Sequence, residues 1–357
     1  MNKRNLKNTE WSILIISLVL FIIGIVALYS CTQATEFDEM KKQIIWFVVS
    51  IPILVVFFVV DYNLISKASY IAYGIFILLL VGVLFTPEIN GARSWFNIGA
   101  FSLQPGEFAK VFVVILFSTI ICKFQEKGKS EINKPWKLIL ALMVVIIPTL
   151  LIVIQPDIGT AAAFIVSTIF ILFVAGIDKK YIIVTCILIV ILVPLIYMFI
   201  LPDHAKTRID VFLNPNLDPR GSGYNVIQSK LAVGAGKVFG MGILKGNQTQ
   251  LGFLYPKTTD FIFAVVGEEM GFIVSAAIVI LYVLLLTKAI YIAKTAKDDL
   301  GSYIATGIVR NIIFSRTRKY RYDSRTIANY RGSIAFYKLW RKFTYNELYM
   351  HRYIIEY

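Results

Sequence analysis

Residues 11–31 form the apolar stretch WSILIISLVLFIIGIVALYSC, which contains no Asp, Glu, Lys or Arg. An α-helix rises about 1.5 Å per residue and needs about twenty apolar residues to cross the roughly 30 Å hydrocarbon core of a bilayer. This stretch is therefore long enough to span a membrane. It is too long for the apolar region of a signal peptide, and no small-residue cleavage site precedes the next apolar block. We expect an uncleaved first helix.

Seven further apolar blocks follow along the chain. They lie at about 43–60, 69–86, 108–124, 137–155, 160–177, 181–201 and 271–293. Hydrophobic residues make up 57% of the 357 residues and charged residues only 16%, which excludes a soluble domain with a polar surface. The sequence predicts an all-α fold, a polytopic membrane helix bundle with about eight transmembrane helices. The three cysteines show neither metal-ligand spacing nor a disulfide pattern.

Lysines cluster between alternate blocks, which predicts the orientation of the chain. The predicted inner segments are 61–68, the stretch with Lys123, Lys127, Lys129, Lys134 and Lys137, the pair Lys179 and Lys180, and the positions Lys288, Lys294 and Lys297. Because short cytoplasmic loops carry an excess of Lys and Arg, the N-terminus is predicted to be cytoplasmic. Residues 32–42, 87–107 and 202–260 then face outward. The last is a long extracytoplasmic loop between helices 7 and 8.

This long outer loop is rich in basic residues. Its candidate phosphate-binding cations are Lys206, Arg208, Arg220 and Lys245, and further lysines accompany them. One interpretation is a solvated face, or a surface that contacts anionic lipid headgroups. The other is a docking surface for an anionic, phosphate-bearing substrate. A loop of this length is usually functional or disordered.

Four ionisable residues lie within or at the edges of the predicted spans, where charge is costly and is functional by default. Glu107 and Lys110 are three residues apart on one helical face and can pair. Asp157 follows a proline between two spans, and Asp260 precedes an apolar run. These outer carboxylates can converge on one cavity. The structural alternative is a buried ion pair for Glu107 and Lys110 and a helix cap for Asp157. Of Glu268 and Glu269, one is predicted to face inward and the other to pair with a lysine.

Four motifs together resemble the SEDS family, in the family's order. They are NGARSWFNIG at 90–99, LQPGEFAK at 103–110, QPDIG at 155–159, and TDFIFA at 259–264 followed by GEE at 267–269. The stretch QTQLGF at 248–253 is closer to the elongation branch, RodA, than to the division branch, FtsW. The resemblance covers about residues 10–309. Residues 1–309 are thus predicted to form one SEDS-type transmembrane domain.

The resemblance implies a ten-helix peptidoglycan polymerase of the bacterial plasma membrane. Such an enzyme joins lipid II units to a glycan strand on undecaprenyl pyrophosphate outside the membrane, with a class B penicillin-binding protein as partner. No nucleic acid is implied. The alternative from a different class is a flippase for the lipid-linked precursor, in which charges would lie at the membrane midplane. The charges here lie toward the outer edge, which favours chemistry over transport.

The resemblance also implies roles for individual residues. Asp260 corresponds to the family's essential aspartate and is predicted to be the general base for the acceptor hydroxyl. Glu107, Lys110 and Asp157 correspond to residues that line the central cavity, and Arg93 and Trp95 belong to the loop beside it. A divalent cation, Mg²⁺ or Mn²⁺, is compatible with pyrophosphate chemistry, but the sequence contains no dedicated ligand cluster. No cofactor is otherwise predicted.

Residues 310–357 differ sharply from the rest of the chain. They hold eleven Lys and Arg, eight Tyr and only three acidic residues, and no window there can span a membrane. One interpretation is a basic tail that binds anionic lipid. The other is a shifted reading frame. Read one base later, codons compatible with the tail allow FFHVLENIGM from about Ile313 and then LPITGVPLPFISYGGSS, the family's C-terminal signature. Helices nine and ten would then be encoded but not translated.

The reading-frame hypothesis predicts a single-base insertion or deletion near codons 305–312 of the gene. Translation of the DNA in all three frames should reveal two apolar spans in place of the basic tail. Stop codons in the shifted frame, or absence of PFISYGG, would establish the tail as a true basic appendage.

The lysine distribution predicts that residues 202–260 lie outside and residues 123–137 inside. Single-cysteine variants labelled in intact cells with a membrane-impermeant thiol reagent should react at positions in the first range only. Labelling of a cysteine at position 129 from outside would reverse the orientation.

Overall fold

The computed structural model describes residues 10–309 apart from 89–92, 99–100, 201–205, 207–209, 212–213, 220 and 222. Its helices are α1 (Trp11–Cys31), α2 (Asp38–Val59), α3 (Tyr62–Gly82), α4 (Pro105–Gln125), α5 (Pro135–Ile154), α6 (Ile158–Val174), α7 (Lys179–Leu195), α8 (Tyr224–Ala235), α9 (Asn247–Gln250), α10 (Ile262–Glu269) and α11 (Gly271–Lys294). A last helical segment covers 299–309. The proposed out-of-frame tail, 310–357, lies outside the described residues.

Each of the eight predicted spans falls on one of these helices, because each is a long apolar run. Among the described residues, four helical stretches are long and apolar enough to cross a membrane: Trp11–Cys31, Tyr62–Phe85, Pro135–Ile154 and Gly271–Lys294. A shorter apolar helix covers Gly159–Val174. The polytopic helical architecture is therefore confirmed, and the count of eight spans stays a prediction.

The all-α fold class is confirmed, and the segment 87–107 adds one small antiparallel hairpin that the sequence does not predict. Strand β1 (Phe96–Ile98) pairs with β2 (Phe101–Leu103), with Phe96 opposite Leu103. Only two residues separate the strands in the sequence, which is the commonest length for a hairpin connection. Strands of three residues are too short to produce a readable alternation of apolar and polar side chains.

The described chain forms two compact units. The first contains residues 10–19, 45–200 and 281–309, and the second contains 20–44 and 201–280. In the first unit, α3, α4, α5 and α6 pack around a core that includes Leu80, Phe117 and Ile121. Tyr303 of the segment 299–309 is 2% exposed and donates a hydrogen bond to Gln125 Oε1 at 2.9 Å. This contact ties the last described helix into the core.

In the second unit, α8 packs against α10, and the C-terminal end of α10 is capped by backbone. The last carbonyl groups of a helix have no partner within the helix. Here Met241 N donates to Glu268 O at 2.9 Å, and Gly242 N donates to Glu269 O at 3.0 Å. Two carbonyls that would otherwise need water are therefore satisfied by the segment that follows α8.

The N-terminal end of α11 is capped by the same segment. Phe272 N donates to Lys237 O at 3.0 Å, and Ile273 N donates to Val238 O at 3.2 Å. We call this set of four hydrogen bonds, between residues 237–242 and 268–273, the backbone interlock. It satisfies two carbonyl groups of α10 and two N–H groups of α11 at the point where the chain breaks between these helices.

The interlock requires glycine where the two segments approach most closely. A Cβ at Gly236 would overlap the carbonyl oxygen of Gly267, and one at Gly240 would overlap that of Glu269. Gly240 also has a φ of 83°, in the region that favours glycine. These glycines therefore fix how α8 packs on α10.

Substitution of Gly236 by alanine should destabilise the protein, because backbone atoms must move to admit the methyl group. We expect a loss of about 1–3 kcal/mol, the usual range for overpacking. The matched control is Gly234→Ala in α8, where a Cβ would meet nothing within 4 Å. Helix propensity predicts that this control is neutral or more stable by up to about 1 kcal/mol. Thermal unfolding in detergent would measure both, and equal stability of the two variants would contradict the close-packing argument.

Candidate active site

Glu107 and Lys110 form the ion pair that their spacing predicts. Both lie in the first turns of α4, and Lys110 Nζ donates to Glu107 Oε1 at 2.7 Å. The Lys110 side chain is 6% exposed, whereas the Glu107 side chain is 51% exposed. A buried ammonium needs its partner, since an uncompensated buried charge costs about 3–5 kcal/mol. The pair therefore fixes Glu107 at the surface of the unit with its carboxylate accessible.

Asp157 caps the helix that follows it, as the structural alternative predicted. Its Oδ1 accepts from Thr160 N at 3.1 Å, which satisfies one of the free N–H groups at the start of α6. Its Oδ2 accepts from Gln104 Nε2 at 2.6 Å. Gln104 immediately precedes α4, so this contact joins the start of α4 to the start of α6.

The glutamine of the QPDIG motif has a structural role that the sequence analysis did not assign. Gln155 is 2% exposed, and its Nε2 donates to Leu80 O at the end of α3 with a separation of 2.8 Å. At Gly106, a Cβ would lie 3.3 Å from Thr160 Cγ2. The hydrogen bond from Gln104 to Asp157 brings the LQPGEFAK and QPDIG motifs into direct contact within the first unit.

Arg93 and Trp95 lie just before β1. Arg93 Nε is 4.0 Å from Glu88 Oε2, and both side chains are 56% exposed. An exposed pair at this distance contributes little to stability. Trp95 is half-buried, and Ser94 between them is buried. Arg93 thus remains accessible from solvent.

Asp260 lies in the second unit, in the turn that precedes α10. Its side chain is exposed. Within the described part of the chain it accepts no hydrogen bond and forms no ion pair. The carboxylate is therefore available to an incoming group, and its position follows from that of the turn.

Glu268 is fully buried, and it caps α9. Its Oε1 accepts from Gln248 N at 2.7 Å, and its Oε2 accepts from Thr249 N at 3.1 Å and from Thr249 Oγ1 at 2.7 Å. Hydrogen bonds to a carboxylate are stronger than those between neutral groups. A buried acid with three donors is thus a strong anchor for the segment 247–250.

Glu269 is also buried, at 2% exposure. Its Oε1 accepts from Ser30 Oγ at 2.7 Å and from Gln250 Nε2 at 3.0 Å, while its Oε2 has no hydrogen-bond partner in the described part of the chain. The sequence predicts that only one of Glu268 and Glu269 faces inward, whereas both are buried. Their position after an apolar run was the available signal, because acids at membrane depth are rarely incidental.

The predicted phosphate-binding cations are only partly described. Lys206 is half-buried, and Lys245 is exposed in the turn that follows the interlock. Arg208 and Arg220 lie outside the described residues. Whether the four cations form one surface therefore stays a prediction.

The fit to a divalent cation can be tested on the side chains that the structure describes. Among these residues, no three His, Cys, Asp or Glu side chains come together as metal ligands would. These described residues therefore supply no three-residue ligand cluster for Mg²⁺ or Mn²⁺.

The predicted site residues fall into two groups. Arg93, Trp95, Glu107, Lys110 and Asp157 belong to the first unit, and Lys206, Lys245 and Asp260 belong to the second. The contacts given above for each group lie within its own unit. The convergence of both groups on one cavity stays a prediction.

Comparison with known proteins identifies the family. The family described as cell cycle protein, which groups FtsW, RodA and SpoVE, matches residues 10–318. Peptidoglycan glycosyltransferase MrdB of Escherichia coli (strain K12) is 32% identical over 315 residues, which cover 85% of this chain and 82% of MrdB. Stage V sporulation protein E of Bacillus subtilis (strain 168) is 35% identical over 314 residues, which cover 84% of this chain and 83% of that protein. The chain belongs to the FtsW/RodA/SpoVE family, the SEDS family that its motifs resemble.

Solved structures share its fold. A chain of a peptidoglycan synthase complex matches with a TM-score of 0.74 at 22% identity, covering 89% of this chain and 88% of that chain. The rod shape determining protein RodA of Thermus thermophilus matches with a TM-score of 0.61 at 21% identity, covering 87% of this chain and 83% of that one. The fold is therefore RodA-like. Family membership and the apolar helices make the chain a membrane protein, and its orientation remains a prediction.

Proposed function

We propose that this chain is a peptidoglycan glycosyltransferase that polymerises lipid II into glycan strands for cell-wall elongation and rod shape. The observation that carries the proposal is the TDFIFA motif with an exposed Asp260 that has no hydrogen bond or ion pair within the described part of the chain. The names of the relatives support it, since both MrdB of E. coli and RodA of Treponema pallidum are named peptidoglycan glycosyltransferases. The flippase alternative is not favoured, because those relatives are named as enzymes.

The reaction transfers a growing glycan strand from undecaprenyl pyrophosphate to the 4-hydroxyl of a lipid-linked disaccharide. Asp260 accepts the proton of that hydroxyl as the oxygen attacks the anomeric carbon of the donor. The glycosidic bond forms, and the bond between the anomeric carbon and the pyrophosphate oxygen breaks. Undecaprenyl pyrophosphate leaves with the bonding electron pair.

The leaving group gains negative charge as this bond breaks, and cations of the outer loop suit its stabilisation. We assign this role to Lys206, Arg208, Arg220 and Lys245. Positive groups held in place before the reaction stabilise such developing charge without reorganisation. Of these four, the exposed Lys245 is the one with a described position open to solvent.

The first unit contributes the other proposed substrate contacts. Lys110 holds Glu107 with its carboxylate accessible, and Arg93 is exposed beside the hairpin. In our proposal Glu107, Lys110 and Asp157 line the cavity, with Arg93 and Trp95 at its edge. Because Lys110 is buried, its contribution to substrate binding is to orient Glu107.

The proposed partner is a class B penicillin-binding protein, and the proposed location is the bacterial plasma membrane with a cytoplasmic N-terminus. The similarity to a chain of a peptidoglycan synthase complex supports the partner. The proposed frame shift bears on activity, since loss of helices nine and ten would remove the signature loop and expose apolar surfaces. We therefore expect activity only after the reading frame is restored beyond residue 309.

Substitution of Asp260 by asparagine in the frame-restored protein should abolish lipid II polymerisation. Loss of a general base costs about 10²–10⁴-fold in rate. Asp38→Asn is the matched control, because Asp38 is an exposed aspartate of the same unit and has no proposed role. Glycan strand formation from purified lipid II would measure both variants, with thermal unfolding as the check on folding.

A folded Asp260→Asn protein that polymerises lipid II near the normal rate would refute the general-base assignment. Glu107→Gln should also reduce the rate, but this substitution leaves the buried Lys110 without a charged partner. Its effect therefore reports on ion pairing and positioning as much as on chemistry.

A further inference from the structure

The turn that carries Asp260 is attached to α9 by a side chain of its own. Lys257 lies three residues before Asp260, and its Nζ donates to Thr249 O at 2.9 Å. The side chain of Asp260 has no hydrogen bond within the described part of the chain. Contacts of its neighbours therefore determine where the carboxylate lies.

Thr249 is completely buried and connects this turn to Glu268. Its N–H and hydroxyl groups both donate to Glu268 Oε2, and its carbonyl accepts from Lys257. One residue thus uses all three of its polar groups to connect a buried acid to the turn. A hydrogen-bonded series of this kind rigidifies a segment when every member is satisfied.

Two further contacts hold the chain between α9 and α10. Leu254 N donates to Gln248 O at 3.2 Å, and Leu254 is 1% exposed in the apolar cluster that also contains Phe261. Phe261 N donates to Pro256 O at 3.3 Å, which closes the turn around Asp260. The segment 251–261 is therefore attached at both ends, while its exposed face stays open.

From these contacts we propose that Thr249 and Lys257 are positioning residues for Asp260, and that Glu268 is the anchor through which they act. Glu268 fixes α9, Thr249 presents its carbonyl, and Lys257 holds the turn on that carbonyl. The inference rests on the proposed function only for the role of Asp260. Its physical reason is that a general base must lie within hydrogen-bond reach of its proton, so a shift of about 1 Å can cost about 10²-fold in rate.

The first test uses the full chain and needs no activity. Thr249→Val removes the hydroxyl that donates to Glu268, and Thr249→Ser restores it. Thr168→Val is the matched control, since Thr168 is buried in the first unit and its hydroxyl donates to Phe164 O within α6. Hydrogen exchange measured by mass spectrometry should show amides of 247–261 exchanging about tenfold faster in Thr249→Val, the effect of losing one hydrogen bond to a charged group. The serine variant and the Thr168→Val control should stay within about twofold of the wild type.

Unchanged exchange at 247–261 in Thr249→Val would overturn the proposed connection. If that variant does not fold, Lys257→Met tests the hydrogen bond between Lys257 and Thr249 instead. The Lys257 side chain is half-buried, and this substitution removes its donor to Thr249 O. Lys257→Arg is its control, since it keeps a cationic donor. Equal protection of residues 255–261 in the methionine and arginine variants would equally overturn the proposal.

The second test separates positioning from a structural role, in the frame-restored protein. Thr249→Val should lower kcat about tenfold with KM for lipid II within about twofold, and Thr249→Ser should recover the rate. If Thr249→Val changes KM alone, or keeps the kcat of the wild type, the positioning role is overturned. This holds even if Asp260→Asn is inactive. Conversely, an active Asp260→Asn refutes the general base, and the exchange experiment then still decides whether Thr249 holds the turn.

Discussion

The backbone interlock is the constraint on which the second unit depends. A chain that stops one helix and starts another leaves carbonyls of the first and N–H groups of the second without partners inside either helix, and each needs a partner when it is buried. Here residues 237–242 satisfy both, accepting from Phe272 and Ile273 and donating to the carbonyls of Glu268 and Glu269. Glycines at 236 and 240 allow the approach. The break between α10 and α11 is thereby a fixed feature of the fold.

A fixed end to α10 determines where the acids of this region lie. The helix has only eight residues, from Ile262 to Glu269, with Asp260 just before it and the two glutamates at its end. The interlock holds the C-terminal end, so Glu268 is directed into the unit, where α9 supplies its donors. The turn with Asp260 at the other end of α10 is joined to the same α9 through Lys257. One short helix and one short turn therefore carry both a buried anchor and an exposed carboxylate.

Sequence patterns predicted the features that depend on residues close together in the chain. The apolar blocks were found as helices because a run of about twenty apolar residues has few other stable conformations in lipid. The pairing of Glu107 with Lys110 and the capping by Asp157 followed from spacing and position alone. The hairpin was missed because its strands are three residues long, and the role of Glu268 was missed because its donors lie nineteen and twenty residues away in the chain. The family motifs marked Asp260 but gave no information on what holds it.

Asp260 and Glu268 show how one short motif can assign opposite environments to two carboxylates. Burial of a carboxylate is tolerated when several donors replace its water, and Glu268 has three. A carboxylate so engaged has little capacity left for a substrate proton, whereas Asp260 has no competing donor in the described part of the chain. The hydrogen-bond donors of α9 offset the free-energy cost of burying Glu268. In our proposal the resulting rigidity of α9 extends to the turn that carries Asp260. We therefore interpret the GEE part of the motif as support for the aspartate of TDFIFA rather than as a second reactive group.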